Sequence, residues 1–147
     1  MKFVHTNIVA EDYRVLARFY QEVFQCRVKP PERQLMGEWL DSATGLSQAK
    51  LKGVHLILPG YGDGGPTLEI FSYNKMAEAG TATASTKGIG HIAFQVGDVR
   101  AVYDGALAAG ASALGKISGK EIPGVGSLTF VYIRDPKGNI VEIQSWD

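Results

Sequence analysis

The chain has 147 residues, 45% of them apolar and 20% charged, with 15 Lys and Arg against 15 Asp and Glu. That length is enough for one domain with a real core, or for two small modules sharing one, and the composition excludes a disordered chain. The even charge gives no basic excess for nucleic acid, and one cysteine, Cys26, excludes an intramolecular disulfide scaffold and fits a reducing compartment.

At the start, MKFVHTNIVAED interrupts its apolar run with His5, Asn7, Glu11 and Asp12, so it lacks the apolar core of a signal peptide; no later stretch nears the roughly 18 apolar residues of a membrane span. The expectation is a cytoplasmic protein without nucleic-acid or membrane partners. Strand signals fall at Phe3–Ala10, Arg27–Met36, Leu51–Leu58 and Thr67–Tyr73, then at Gly90–Val96, Ala113–Lys120, Ser127–Arg134 and Ile140–Trp146. Asp12 and Asp98 read as N-caps of two amphipathic helices, carried by Leu16, Ala17, Tyr20 and Val23 in one and by Val102, Tyr103, Ala106 and Leu107 in the other. Gly110 is expected at C′ of the second helix. Gly60–Pro66 and Asp135–Asn139 have the residues of tight turns, and Lys75–Lys87 reads as a linker.

The chain repeats itself. His91 lies 86 residues after His5, and the same offset carries Asp12 onto Asp98 and Arg14 onto Arg100. Each half closes on one phrase, Glu69-Ile-Phe-Ser-Tyr73 and Glu142-Ile-Gln-Ser-Trp146, at an offset of 73. About thirteen extra residues therefore sit in the first half, between Pro30 and Gln48. Both halves, 1–74 and 88–147, read as β-α-β-β-β joined by the linker 75–87, within a single domain.

Strand alternation sorts the outer strands into two faces. Val4 and Ile8, Leu68 and Ile70, Ile92 and Phe94, and Val141 and Ile143 make the face for the helices. His5, Glu69, His91 and Glu142 all point the other way. A carboxylate on an inner sheet face is costly to bury unless a cation or donors compensate it. If the halves pair with pseudo-two-fold symmetry, these four side chains can converge as a His₂Glu₂ set suited to one divalent ion, among Zn, Ni, Co, Mn and Fe. His55 has no evident counterpart in the second half and reads as structural, with a pocket role left open. Lys50, Lys52, Lys116 and Lys120 suit either an anionic substrate tail or a solvated face, and Trp39 either a lid or the core. The glycine-rich stretches Gly60–Gly65 and Gly124–Ser127 lack the ending of a phosphate loop and read as turns.

Four segments carry a family resemblance: His5 in the first strand, Pro66-Thr-Leu-Glu69-Ile-Phe, Gly90-His91-Ile-Ala-Phe and Asp135-Pro-Lys-Gly138-Asn-Ile-Val-Glu142. Together they resemble the vicinal oxygen chelate superfamily over essentially the whole chain, most nearly its glyoxalase I and methylmalonyl-CoA epimerase branches. The resemblance implies an α+β fold of two paired βαβββ modules, with a cupped, mostly antiparallel sheet and helices outside. It also implies a homodimer, a small-molecule substrate and one divalent metal ion on His5, Glu69, His91 and Glu142. The implied activity is that of a lyase or isomerase moving a proton α to a carbonyl, with Glu142 as first and Glu69 as second candidate base. An iron-dependent extradiol-type dioxygenase and a non-catalytic binding or resistance protein are the alternatives. Ser47-Gln48-Ala49-Lys50 departs from the epimerase pattern, which has a further acidic residue before this strand.

Overall fold

A computed structural model describes residues 1–147, which form two compact units, Met1–Ala79 and Gly80–Asp147. In the first, the order is β1 (His5–Val9), α1 (Tyr13–Phe24), β2 (Arg27–Met36), α2 (Glu38–Thr44), β3 (Lys50–Ile57) and β4 (Thr67–Tyr73). The strands lie side by side as β1-β4-β3-β2, the first pair parallel and the others antiparallel. Asp12 caps α1 by accepting from the amides of Arg14 and Val15 at 2.9 and 3.4 Å. The helix packs on β3 and β4, burying Leu16, Ala17, Phe19 and Tyr20 on the face that carries Ile8, Val54, Leu56, Leu68 and Ile70. Each such fully buried aliphatic side chain contributes about 1.5–3 kcal/mol.

Pro30 and Pro31 have no amide hydrogen, and the β2–β3 ladder shifts register between Lys29 and Arg33. That is tolerated because β2 is an edge strand. The extra stretch of this half forms α2, a short helix that sequence periodicity does not reveal. It turns Leu40 into a cluster with Ala49, Leu51 and Phe71, bordered by Leu35 and Tyr73. Leu35, Leu51 and Tyr73 are cross-strand neighbours on the face opposite α1, so α2 covers part of the face that also carries Glu69.

The second unit repeats the scheme with β5 (Ile92–Gln95), α3 (Val99–Ala108), β6 (Ser112–Ala113), β7 (Ser118–Ile122), β8 (Gly126–Arg134) and β9 (Ile140–Trp146). Its path is β5-β9-β8, parallel then antiparallel, with β6 and β7 both on the far side of β8. Asp98 caps α3 through the Ala101 amide at 2.9 Å. Gly110 follows the helix at φ 98°, a conformation open to glycine at little cost, while the Ala111 amide returns to Ala106 O at 3.0 Å. Helix α3 lies on β8 and β9, against the aliphatic side that includes Ile133, Val141 and Ile143.

The mixed α+β architecture is the one expected, and β2, β4 and β9 have the predicted limits. One expected strand, Ala113–Lys120, is divided. The Leu114 and Gly115 amides both bond to Tyr132 O, at 3.3 and 3.1 Å, so two residues oppose one and the pairing breaks there.

Candidate functional site

In both units the register around the glutamate is the same. Asn7 pairs with Glu69 across the parallel strands, and Ala93 pairs with Glu142. Across the antiparallel neighbour, His55 stands opposite Glu69 and Tyr132 opposite Glu142. Turn chemistry sets the second pairing. Buried Asp135 accepts from the amides of Lys137 and Asn139 at 2.9 and 3.0 Å and from Asn139 Nδ2, closing a turn in which Arg134 faces Ile140. Two residues further back along β8 comes Tyr132, beside Glu142.

Glu69 is buried, its side chain 9% exposed, and is surrounded by nitrogen donors. His5 Nε2 stands 3.3 Å from Oε2, Asn7 Nδ2 3.4 Å from the same oxygen, and His55 Nε2 3.0 Å from Oε1. The Thr67 hydroxyl lies 3.2 Å from His55 Nδ1. A carboxylate only accepts, so the hydrogen bond to Glu69 requires a proton on His55 Nε2; the neutral ring then accepts from Thr67 at Nδ1. Burial pushes the His55 pKa below its ordinary value, in keeping with a neutral ring, although the Glu69 charge pulls the other way. The His55 ring also meets Phe71 edge-on at 6.0 Å and His5 edge-on at 6.1 Å.

Phe71 can lie there because residue 53 is glycine. A Cβ at that position would fall 2.1 Å from Ile70 O and 2.2 Å from Phe71 Cδ1. Gly53 thus seats the ring that links the α2 cluster to the histidine.

In the second unit His91 Nε2 stands 2.9 Å from Glu142 Oε2, and the Tyr132 ring packs against the His91 ring at 5.0 Å. Burial raises the Tyr132 pKa, helped by the neighbouring Glu142 charge. Glu142, 12% exposed, is more sparingly served with nitrogen donors than Glu69.

Each unit therefore brings its predicted His and Glu together: His5 with Glu69, and His91 with Glu142. No group of three or more His, Cys, Asp or Glu side chains is arranged to hold a metal ion. The donor chemistry nonetheless fits one, since imidazole nitrogens and buried carboxylates are what the intermediate divalent metals take. One sequence reading is corrected, and two left open are narrowed. His55 does have a counterpart, Tyr132, which strand alternation and the short Asp135–Asn139 turn could have located. Lys50 and Lys52 do not face Glu69; they lie on the opposite side of the sheet, in a surface depression with Arg14, Gln34 and Ser72. Trp39 is neither core nor buried cover, being 59% exposed with its indole nitrogen donating to Met36 O at 3.0 Å.

Two βαβββ-type halves, each closing a histidine on a glutamate at the same register, define a repeated α+β protein with a polar sheet face in each half. The glyoxalase/bleomycin resistance protein/dioxygenase superfamily model matches residues 2–143, and the chain belongs to that superfamily. A search among curated proteins finds no match. Among solved structures, a glyoxalase family protein from Bacillus cereus is similar at TM-score 0.86 and 21% identity, covering 99% of this chain and 94% of its own. A glyoxylase/bleomycin resistance protein/dioxygenase domain from Frankia sp. has TM-score 0.61 and 16% identity over 100% of this chain and 93% of its own. At such identities the likeness is one of fold.

Proposed function

We propose that the protein is a divalent-metal-dependent lyase or isomerase that moves a proton α to a carbonyl of a small substrate, working as a cytoplasmic homodimer. His5, Glu69, His91 and Glu142 are its metal ligands, two from each half. The observation that carries this reading is the repetition: both halves set a largely buried glutamate against a histidine Nε2, on the sheet face away from the helix. Two such pairs are costly to maintain without a cation or a full complement of donors.

When bound, the ion supplies a Lewis acid that stabilises negative charge developing on a carbonyl oxygen. Glu142 is the proton acceptor. Its carboxylate meets the His91 nitrogen, with Tyr132 as its cross-strand neighbour, whereas both oxygens of Glu69 are engaged by nitrogen donors from three residues. Glu142 thus has more lone-pair capacity left for a substrate proton, and Glu69 is the second candidate, returning a proton where the reaction is an isomerisation.

Exchange of the α-proton in deuterated water tests this directly, using thiol adducts of 2-oxoaldehydes and acyl-CoA thioesters as candidate substrates. Metal-loaded wild-type protein is expected to exchange or convert at least one of these, and Glu142→Gln to lose that activity by a factor of about 10²–10⁴ while keeping its fold. An unchanged rate in Glu142→Gln would rule Glu142 out as the base.

A further inference from the structure

In each half the residue directly across the antiparallel pair from the glutamate can donate to its carboxylate, yet the two donors are unlike: an imidazole at His55 and a phenol at Tyr132. The imidazole is the better fixed. Its Nδ1 is occupied by the Thr67 hydroxyl, its ring is bracketed by Phe71 and His5, and its side chain is 17% exposed against 41% for His5. Thr67 and Glu69 are two of only three buried polar or charged residues in the chain. The third, Asp135, closes the turn that brings Tyr132 beside Glu142.

We propose that His55 is the positioning residue of Glu69: its Nε2–H holds Oε1 and leaves Oε2, which lies beside His5 Nε2 and the Asn7 amide, as the oxygen turned toward a cation, while Tyr132 stands at the same register beside Glu142. In the neutral ring, Thr67 hydroxyl, His55 and Glu69 form a directed chain in which the threonine donates to Nδ1 and Nε2 donates to the carboxylate. Fixing one oxygen removes the carboxylate's freedom to rotate or to flip its two oxygens. Partners of this kind, lying behind the ligands, typically govern metal affinity by factors of 10–100. The unlike donors also make the two pseudo-equivalent glutamates chemically distinct, which suits one to a fixed ligand role and the other to proton transfer. This inference rests on the ligand assignment above.

The test has two parts. In metal-free wild-type protein at about pH 8, where an ordinary imidazole is neutral, long-range ¹H–¹⁵N correlation of the three histidines, assigned with His55→Gln, is expected to show His55 as the Nε2–H tautomer. Ni²⁺ affinity, measured by competition with a chromophoric chelator, is then expected to fall about 10–100-fold in His55→Phe, which keeps a ring but has no donor. His55→Gln, which restores an N–H near Nε2, is expected to recover most of that loss, and Tyr132→Phe to weaken binding as well. Circular dichroism on all three variants confirms the fold. An Nδ1–H tautomer, or a His55→Phe protein that binds Ni²⁺ like wild type, overturns the proposal. Wild-type protein that takes up no metal instead sinks the ligand assignment, and the tautomer alone then decides whether His55 holds Glu69.

Discussion

Cys26 shows how far burial alone can change a side chain's chemistry. It is 3% exposed, and desolvation pushes its thiol from an ordinary 9.0 up to about 12. The folded thiol is thus expected to ignore a thiol reagent at pH 8 and to react fully in denaturant; reaction in the native protein at the denatured rate would contradict that. The sign of the linked stability follows. A pKa raised by folding contributes stability that is complete below 9.0 and is lost as pH rises toward about 12, because the unfolded thiol ionises first. Tyr13 and Tyr132, both raised by burial, act in the same direction. Denaturant midpoints across this range should therefore fall with pH, less steeply in Cys26→Ala. Gly53 is the other single position with a large expected effect. Gly53→Ala would force its Cβ against Ile70 O and Phe71, so a loss of about 1–3 kcal/mol is expected in urea melts, with the His55 environment disturbed.

Among the elements, the helices depend on their caps and the strands on their alternation. Removing the Asp12 carboxylate strands the amides of Arg14 and Val15, and removing that of Asp98 strands the amide of Ala101. Asp12→Ala and Asp98→Ala are each expected to cost about 1 kcal/mol in equilibrium unfolding; a midpoint like that of wild type in both would refute the capping account. Both caps were readable because Asp before an apolar period is a local signal, independent of the rest of the chain. Strands β2, β4 and β9 were readable for the same reason: alternation and flanking turn residues lie within each segment. Helix α2 was not. Its seven residues are too few for a period, and Gly37 at its N-cap provides no side-chain cap. What remained was Glu38 and Asp41 in the first turn and Gly45 at the left-handed end, a faint signal. The division of the expected strand Ala113–Lys120 was equally hidden, because it arises from two amides sharing one carbonyl of a distant strand.

For the whole molecule, the repeat carried the most information. The offsets of 86 and 73 pair His5 with His91 and Glu69 with Glu142 in the sequence itself, and the matching registers Asn7–Glu69 and Ala93–Glu142 give those offsets a physical meaning. The same repeat hides Tyr132, because only register is kept there and not identity: a histidine in one half answers to a tyrosine in the other. His55 looked structural for want of a histidine partner. Cross-strand pairing, not residue type, relates the two positions, and pairing depends on turn lengths that differ between the halves.

Whether the two His–Glu pairs serve a metal ion is settled by elemental analysis of untagged protein purified without added metal and again after reconstitution. Roughly one divalent ion per chain is expected, as for a site with a complete ligand set, and little or none in Glu69→Ala and His91→Ala. No bound metal in the wild-type protein, even after reconstitution, would contradict it.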